Sequence, residues 1–264
     1  MSPSPVSPSP VSAATVGRPG AMRGVVIVAG YTLAACFPRR RRLGLLLPAA
    51  GALLFGLLVH ALDEPAAQGL ASVAGPGLFG VILPVGCLVV GDAVLGSEVR
   101  SGTLHFTWLS PVGFWTIVAG RFLAGWLVAI GAVAVPCAAA AVVAGAPGEA
   151  VPLGVAAGAA AGAYVAVFVL VGATARRAVV WSLTFVVLLE RLLGTALSGV
   201  AQWCPSWLGR AVYAGLADGA GSLERDGLPQ GSAGLVRLAV LSAIALALAT
   251  WRLRRLRLAG PSGD

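Results

Sequence analysis

Residues 91–121 read GDAVLGSEVRSGTLHFTWLSPVGFWTIVAGR. They are the one patterned polar interruption in a chain that is otherwise mostly hydrocarbon. Of the 264 residues, 58% are hydrophobic and 11% charged, where a soluble domain carries roughly 25% charged residues. Apolar runs flank the interruption on both sides, long enough to cross a hydrocarbon core of about 30 Å at about 1.5 Å per residue. The expected fold is therefore all-α, a polytopic membrane helix bundle.

Working outward, the apolar segments resolve into six expected transmembrane helices, at residues 43–62, 71–95, 112–144, 153–174, 178–193 and 235–251. Ahead of them, residues 1–22 form a Pro/Ser-rich tail that lacks the basic start and apolar centre of a signal peptide. Residues 23–37 are apolar but too short to cross, and Pro38 with Arg39, Arg40, Arg41 and Arg42 stops them. Residues 23–42 are thus expected to be an interfacial helix and its Arg cluster; a strained short crossing is the alternative. The membrane domain runs over 23–258, and 259–264 form a tail. Residues 194–233, between the fifth and sixth crossings, carry Trp203, Trp207 and Tyr213. These suit short extracellular helices at headgroup level.

Charge placement orients the bundle. With the N-terminus inside, the inner side receives Arg39–Arg42, Arg100, Arg121, Arg176, Arg177, Arg252, Arg254, Arg255 and Arg257. The outer loops hold Arg210 and Arg225 and most of the acids: Asp63, Glu64, Glu149, Asp218, Glu224 and Asp226. By the positive-inside rule both termini, and residues 91–121, are expected to be cytoplasmic. The net charge of +8 follows from Arg beside apolar spans, which points to anionic membrane lipids and not to nucleic acid.

Several chemistries are excluded. Every basic residue is Arg and there is no Lys, so a Walker A loop, a Schiff-base site and a protein kinase are all out of reach. No HExxH occurs, and His60 and His105 are expected near opposite membrane faces, so neither a metal site nor a hydrolase triad is expected. Cys36, Cys87, Cys137 and Cys204 form no CxxC and read as small buried hydrophobes. No catalytic residue, metal or cofactor is expected in this chain.

Two features inside the crossings carry information. Gly154, Gly158 and Gly162 recur every four residues, which places them on one helix face for close packing. Glu190 and Arg191 are ionisable residues within the fifth crossing, and such residues are functional candidates by default. Being adjacent, they cannot face the same way, so each needs its own partner, in a structural role or in gating.

Within 91–121 the pattern is E-x-x-x-G-T-L-x(5)-S-P-V, followed by I-V-A-G-R. This run resembles the type-2 ABC exporter permease family, in which a similar E…GTL…SP…GK/R run lies between the second and third spans. The six-span layout, the helix before the first span and the outer helices before the last resemble that family too. The resemblance implies a permease subunit of an ATP-driven exporter. It also implies that residues 91–121 form a cytoplasmic coupling helix docking on a separate ATP-binding subunit. Glu98, Arg100, Gly102, Thr103, Leu104, Phe106 and Trp108 would contact that ATPase, and Ser110 and Pro111 would end the element. ATP and Mg would be bound by the partner, and a second permease chain, identical or homologous, would complete the pathway. The chemistry suits docking independently: Glu98 and Arg100 offer charges, Gly102 a close approach, and Leu104, Phe106 and Trp108 apolar anchors. His105 to Trp108 is bulkier than the aliphatic run expected there. The alternatives are an ATP-independent secondary transporter and a non-transport membrane protein that binds partners through the same loop.

Overall fold

The computed structural model describes residues 21–36, 39–62, 65–91, 94, 113–174, 178–217, 223, 225 and 227–255. All regular structure among the described residues is helical. We label α1 (Ala21–Cys36) and α2 (Arg39–His60), α3 (Ala66–Gly91), α4 (Phe114–Val143), α5 (Pro147–Thr174) and α6 (Ala178–Ala196), α7 (Pro205–Ala214) and α8 (Gly231–Arg255). Five of them, α3, α4, α5, α6 and α8, are long and apolar enough to cross a membrane. They make this a multi-pass membrane bundle. The expected first crossing corresponds to α2, whose apolar part covers Gly44–His60.

Small residues set the helix order. Gly44 faces Val89, Gly51 faces Ile82 and Gly77 faces Phe55, so α2 and α3 run antiparallel. Gly154 faces Ala138, Gly158 faces Ala134 and Gly162 faces Trp126, so α4 and α5 also run antiparallel. The starts of α2 and α4 therefore lie at one end of the bundle with the ends of α3 and α5. The α8 helix starts against α7, where Gly234 meets Val212. It packs along α5 and reaches the first half of α4, which brings Arg252, Arg254 and Arg255 to that same end. The α1 helix lies against the first half of α4: a Cβ at Gly120 would sit 2.7 Å from Val28 Cβ and 2.9 Å from the Val25 carbonyl oxygen.

The corner between α4 and α5 shows how sequence punctuates the bundle. Gly145 has φ +86, a left-handed conformation that a side chain would strain. The Ala146 N–H donates to the Ala141 carbonyl (2.9 Å) and the Gly145 N–H to the Val142 carbonyl (3.1 Å), the paired bonds of a Schellman ending. Pro147 then opens the next helix, where a missing N–H costs nothing.

Prolines within the crossings loosen the helical ladder. Residues 74–82 of α3 are π-helical and contain Pro76, with Pro84 just beyond. Residues 130–134 of α4 are π-helical immediately before Pro136. Such local widening keeps backbone groups paired where a proline supplies no N–H.

Among the described glycines of the long helices, the closest approach to the backbone of another helix is at Gly56, where an added Cβ would lie 2.6 Å from the Ala140 carbonyl oxygen and 3.0 Å from its Cα. Backbone cannot swing aside as a side chain can. We expect Gly56→Ala to lose about 1–3 kcal/mol to overpacking. Gly30→Ala, whose Cβ meets nothing within 4 Å, should stay within about 0.5 kcal/mol of the parent. Thermal unfolding in detergent micelles checks this; equal midpoints for the two variants would contradict the packing assigned to α2 and α4.

Candidate functional site

Glu190 is 2% exposed in a helix long and apolar enough to cross a membrane. A carboxylate there must find donors inside the protein, because hydrocarbon offers none. Two arrive from different helices. The Tyr164 hydroxyl on α5 donates to Glu190 Oε2. The Ser206 backbone N–H on α7 donates to Oε1 at 3.3 Å. Ser206 lies in the first turn of α7, behind Pro205, so the N–H that α7 cannot use internally points at the carboxylate. The Trp207 indole Nε1 donates to the Glu190 backbone carbonyl at 3.3 Å. That fastens the π-helical stretch Phe185–Leu193 that carries Glu190.

Arg191 turns another way. Its guanidinium donates to the Gly80 carbonyl of α3. In a regular α-helix that carbonyl would pair with the N–H of residue 84, and Pro84 has none. Arg191 from α6 supplies a donor there. Arg210 of α7 converges on the same point: a Cβ at Gly80 would lie 2.8 Å from Arg191 Nη2 and 3.1 Å from Arg210 Nη2. Arg210 Nε is buried without a hydrogen-bond partner among the described residues, and the group stacks over the Trp207 ring at 4.4 Å. Arg225 lies 4.5 Å from the same ring. It donates to the carbonyls of Gly194 (2.8 Å) and Thr195 (3.1 Å), at the end of α6 where carbonyls lack helical donors.

The α7 helix, the longest described helix within residues 194–233, packs against the middle of the bundle. Gly209 of α7 abuts Phe79 and Ala160, with Cβ distances of 2.9 Å and 3.0 Å. Those residues lie near the midpoints of α3 and α5. The α7 helix is drawn in because Tyr213, Leu208 and Val212 bury completely against the core, while its N-terminus meets the Glu190 carboxylate.

The structure therefore gives Glu190 and Arg191 separate partners on α5, α7 and α3. Gly154, Gly158 and Gly162 all meet α4 along one face, and Trp126 Nε1 of α4 donates to the Gly158 carbonyl at 2.9 Å. Glu98, Arg100, Gly102, Thr103, Leu104, Phe106, Trp108, Ser110 and Pro111 lie outside the described residues. Sequence reading missed Tyr164, Ser206, Gly80, Trp207 and Arg210. Two signals pointed there: Pro84, which weakens the pairing of the carbonyl four residues earlier, and Tyr164, a phenol hydroxyl in the middle of an Ala/Gly-rich crossing. Among the described residues no three His, Cys, Asp or Glu side chains are placed to hold a metal, and the four cysteines are buried. The arrangement is suited to fixing helix positions by charge-assisted hydrogen bonds, made by the buried Glu190 carboxylate and by the guanidiniums of the exposed Arg191 and the half-buried Arg210. No family model matches the chain, and no curated protein matches it.

Removing one partner strands the other. Glu190→Ala should cost about 1–3 kcal/mol by leaving the Tyr164 hydroxyl and the Ser206 N–H unpaired. Tyr164→Phe should cost less, because Ser206 still reaches the carboxylate. In a double-mutant cycle the pair should be non-additive by about 0.5–3 kcal/mol. Unfolding in micelles measures it, and simple additivity would show that the two groups do not interact.

Proposed function

We propose that this chain is the permease subunit of an ATP-driven exporter of the type-2 ABC class. The observation that carries the reading is the E-x-x-x-G-T-L-x(5)-S-P-V pattern at Glu98–Val112, placed between two membrane helices. The described bundle supports it: the end of α3 at Gly91 and the start of α4 at Phe114, which flank the patterned stretch in sequence, lie at the end of the bundle that also carries Arg252, Arg254 and Arg255. The absence of Lys means that a Walker A loop must come from another chain. In this reading there are six crossings in a bacterial plasma membrane, α2 being the first, with both termini cytoplasmic. Glu98, Arg100, Gly102, Thr103, Leu104, Phe106 and Trp108 dock on an ATPase that binds ATP and Mg. A second permease chain completes a pathway for a lipophilic substrate.

Force applied at 91–121 enters α3 and α4 first. The α3 helix carries the Gly80 carbonyl held by Arg191, and α4 carries the Trp126 contact to α5. The polar cluster is therefore placed to feel any rotation of α3 against α6, and in this reading it gates.

An ATP-binding subunit with its own Walker A loop should co-purify with the chain from its native membranes, and Leu104→Asp should weaken that association at least tenfold, as expected for loss of an interface anchor. Membrane insertion should be unchanged. Pull-down from solubilised membranes, followed by nucleotide-dependent flux in proteoliposomes, reads both steps. Wild-type flux that proceeds without any ATPase would favour the secondary-transporter alternative and sink this one.

A further inference from the structure

An open apolar groove of about 490 Å³ runs between α1, α2 and α4. Leu33, Leu45, Leu46, Leu127 and Gly131 line it, with Ala49 further along α2. Its volume falls within the roughly 300–1,000 Å³ of small-ligand sites. A Cβ at Gly131 would meet nothing within 4 Å, so the floor of the groove is unfilled by protein. Nothing in the lining is charged, and an occupant seated here must be hydrocarbon.

The sequence that precedes the groove on α2 decides which hydrocarbon. The α2 helix begins with Arg39, Arg40, Arg41 and Arg42. Position 42 precedes Leu45, Leu46 and Ala49 by three, four and seven residues, so by helical register it shares their face. The groove thus starts within about two turns of four basic positions, which sets an acyl-sized channel beside a run of positive charge. A second copy of this chain is a poorer occupant. A two-fold contact puts the same patch on both partners and would set two runs of four Arg against each other. A zwitterionic lipid would fill the groove but leave the basic run uncompensated.

We propose that the groove between α1, α2 and α4 binds an anionic phospholipid, one acyl chain lying on Gly131 and the phosphate end at Arg39–Arg42. The proposal requires membrane residence and does not depend on the transport reading.

Lipids retained by the purified full-length chain, counted by native mass spectrometry after exchange into mixed phosphatidylglycerol and phosphatidylcholine of identical chains, test this. The wild type should retain phosphatidylglycerol preferentially. Each basic residue near an anionic headgroup is worth about fivefold in binding, so Arg41→Gln with Arg42→Gln should cut the preference by roughly twenty-five-fold while leaving lipid in place. Gly131→Leu, whose Cβ meets nothing within 4 Å and whose side chain takes up space in the groove, should lose the bound lipid of either kind. Gly199→Leu, equally open but distant, should behave as wild type. Equal retention of the two lipids by the wild type overturns the proposal. So does wild-type retention by Gly131→Leu, or a change of oligomeric state in that variant, which would mark a protein interface instead. If Gly131→Leu does not purify, the Arg41/Arg42 variant decides by itself.

Discussion

The structure depends on how closely other helices can approach α5. In hydrocarbon there is no hydrophobic gain in pressing one apolar helix on another, so association rests on packing and on polar contacts. The α5 helix satisfies the first by being nearly stripped of bulk. Ala156, Ala157, Ala160, Ala161, Ala163 and Ala166 are all fully or almost fully buried. Its Gly154–Gly158–Gly162 face receives α4, its other faces α3, α7 and α8. In its most apolar stretch 67% of residues are inside the bundle, against 22% for α6. The bundle is built around α5, and α6 is attached to it.

Polar groups supply the second contribution, and they are few because burying one is costly. Glu190 takes a hydroxyl from α5 and a helix-terminal N–H from α7. The Gly80 carbonyl, which Pro84 cannot serve, takes a guanidinium from α6. Trp126 reaches a carbonyl of α5. In each case an irregularity or a spare acceptor on one helix is met by a side chain of another. These bonds fix angular register between helices whose apolar surfaces would allow many registers. They also explain why α7 sits between crossings: without it Glu190 would lose one of its donors.

Much of this was legible in the sequence, for a physical reason. A hydrocarbon environment demands long apolar runs, and those runs are visible one residue at a time. The crossings α3 to α6 and α8 were read within a few residues of their ends, and the glycine spacing in α5 named the face that meets α4. The depth of α7 was not legible. Residues 205–214 have the mixed aromatic and basic composition of an interfacial helix, and only tertiary contact with Phe79 and Ala160 shows how far in they lie. The partners of Glu190 were hidden for the same reason: Tyr164 and Ser206 are 26 and 16 residues away, and no local pattern links them. The docking residues Glu98–Pro111 remain a reading of sequence.

The weak attachment of α6 gives its two charged residues a particular role. Trp181, Val187 and Leu192 are more than half exposed, and exchanging such contacts between lipid and protein changes little free energy. What holds α6 in one place is therefore largely polar: the side-chain pairing at Glu190 and Arg191, with Trp207 and Arg225 on its backbone carbonyls, each bond being worth on the order of 1–3 kcal/mol when broken inside a low-dielectric bundle. The two bonds end on different helices, α5 for Glu190 and α3 for Arg191. A movement of α3 alone would break the Arg191 bond to Gly80 and leave Glu190 on Tyr164. A movement of α6 away from the bundle must break both. Adjacent on one helix, these residues therefore distinguish two displacements, and a small polar latch of this kind gives a bundle discrete positions in place of continuous sliding.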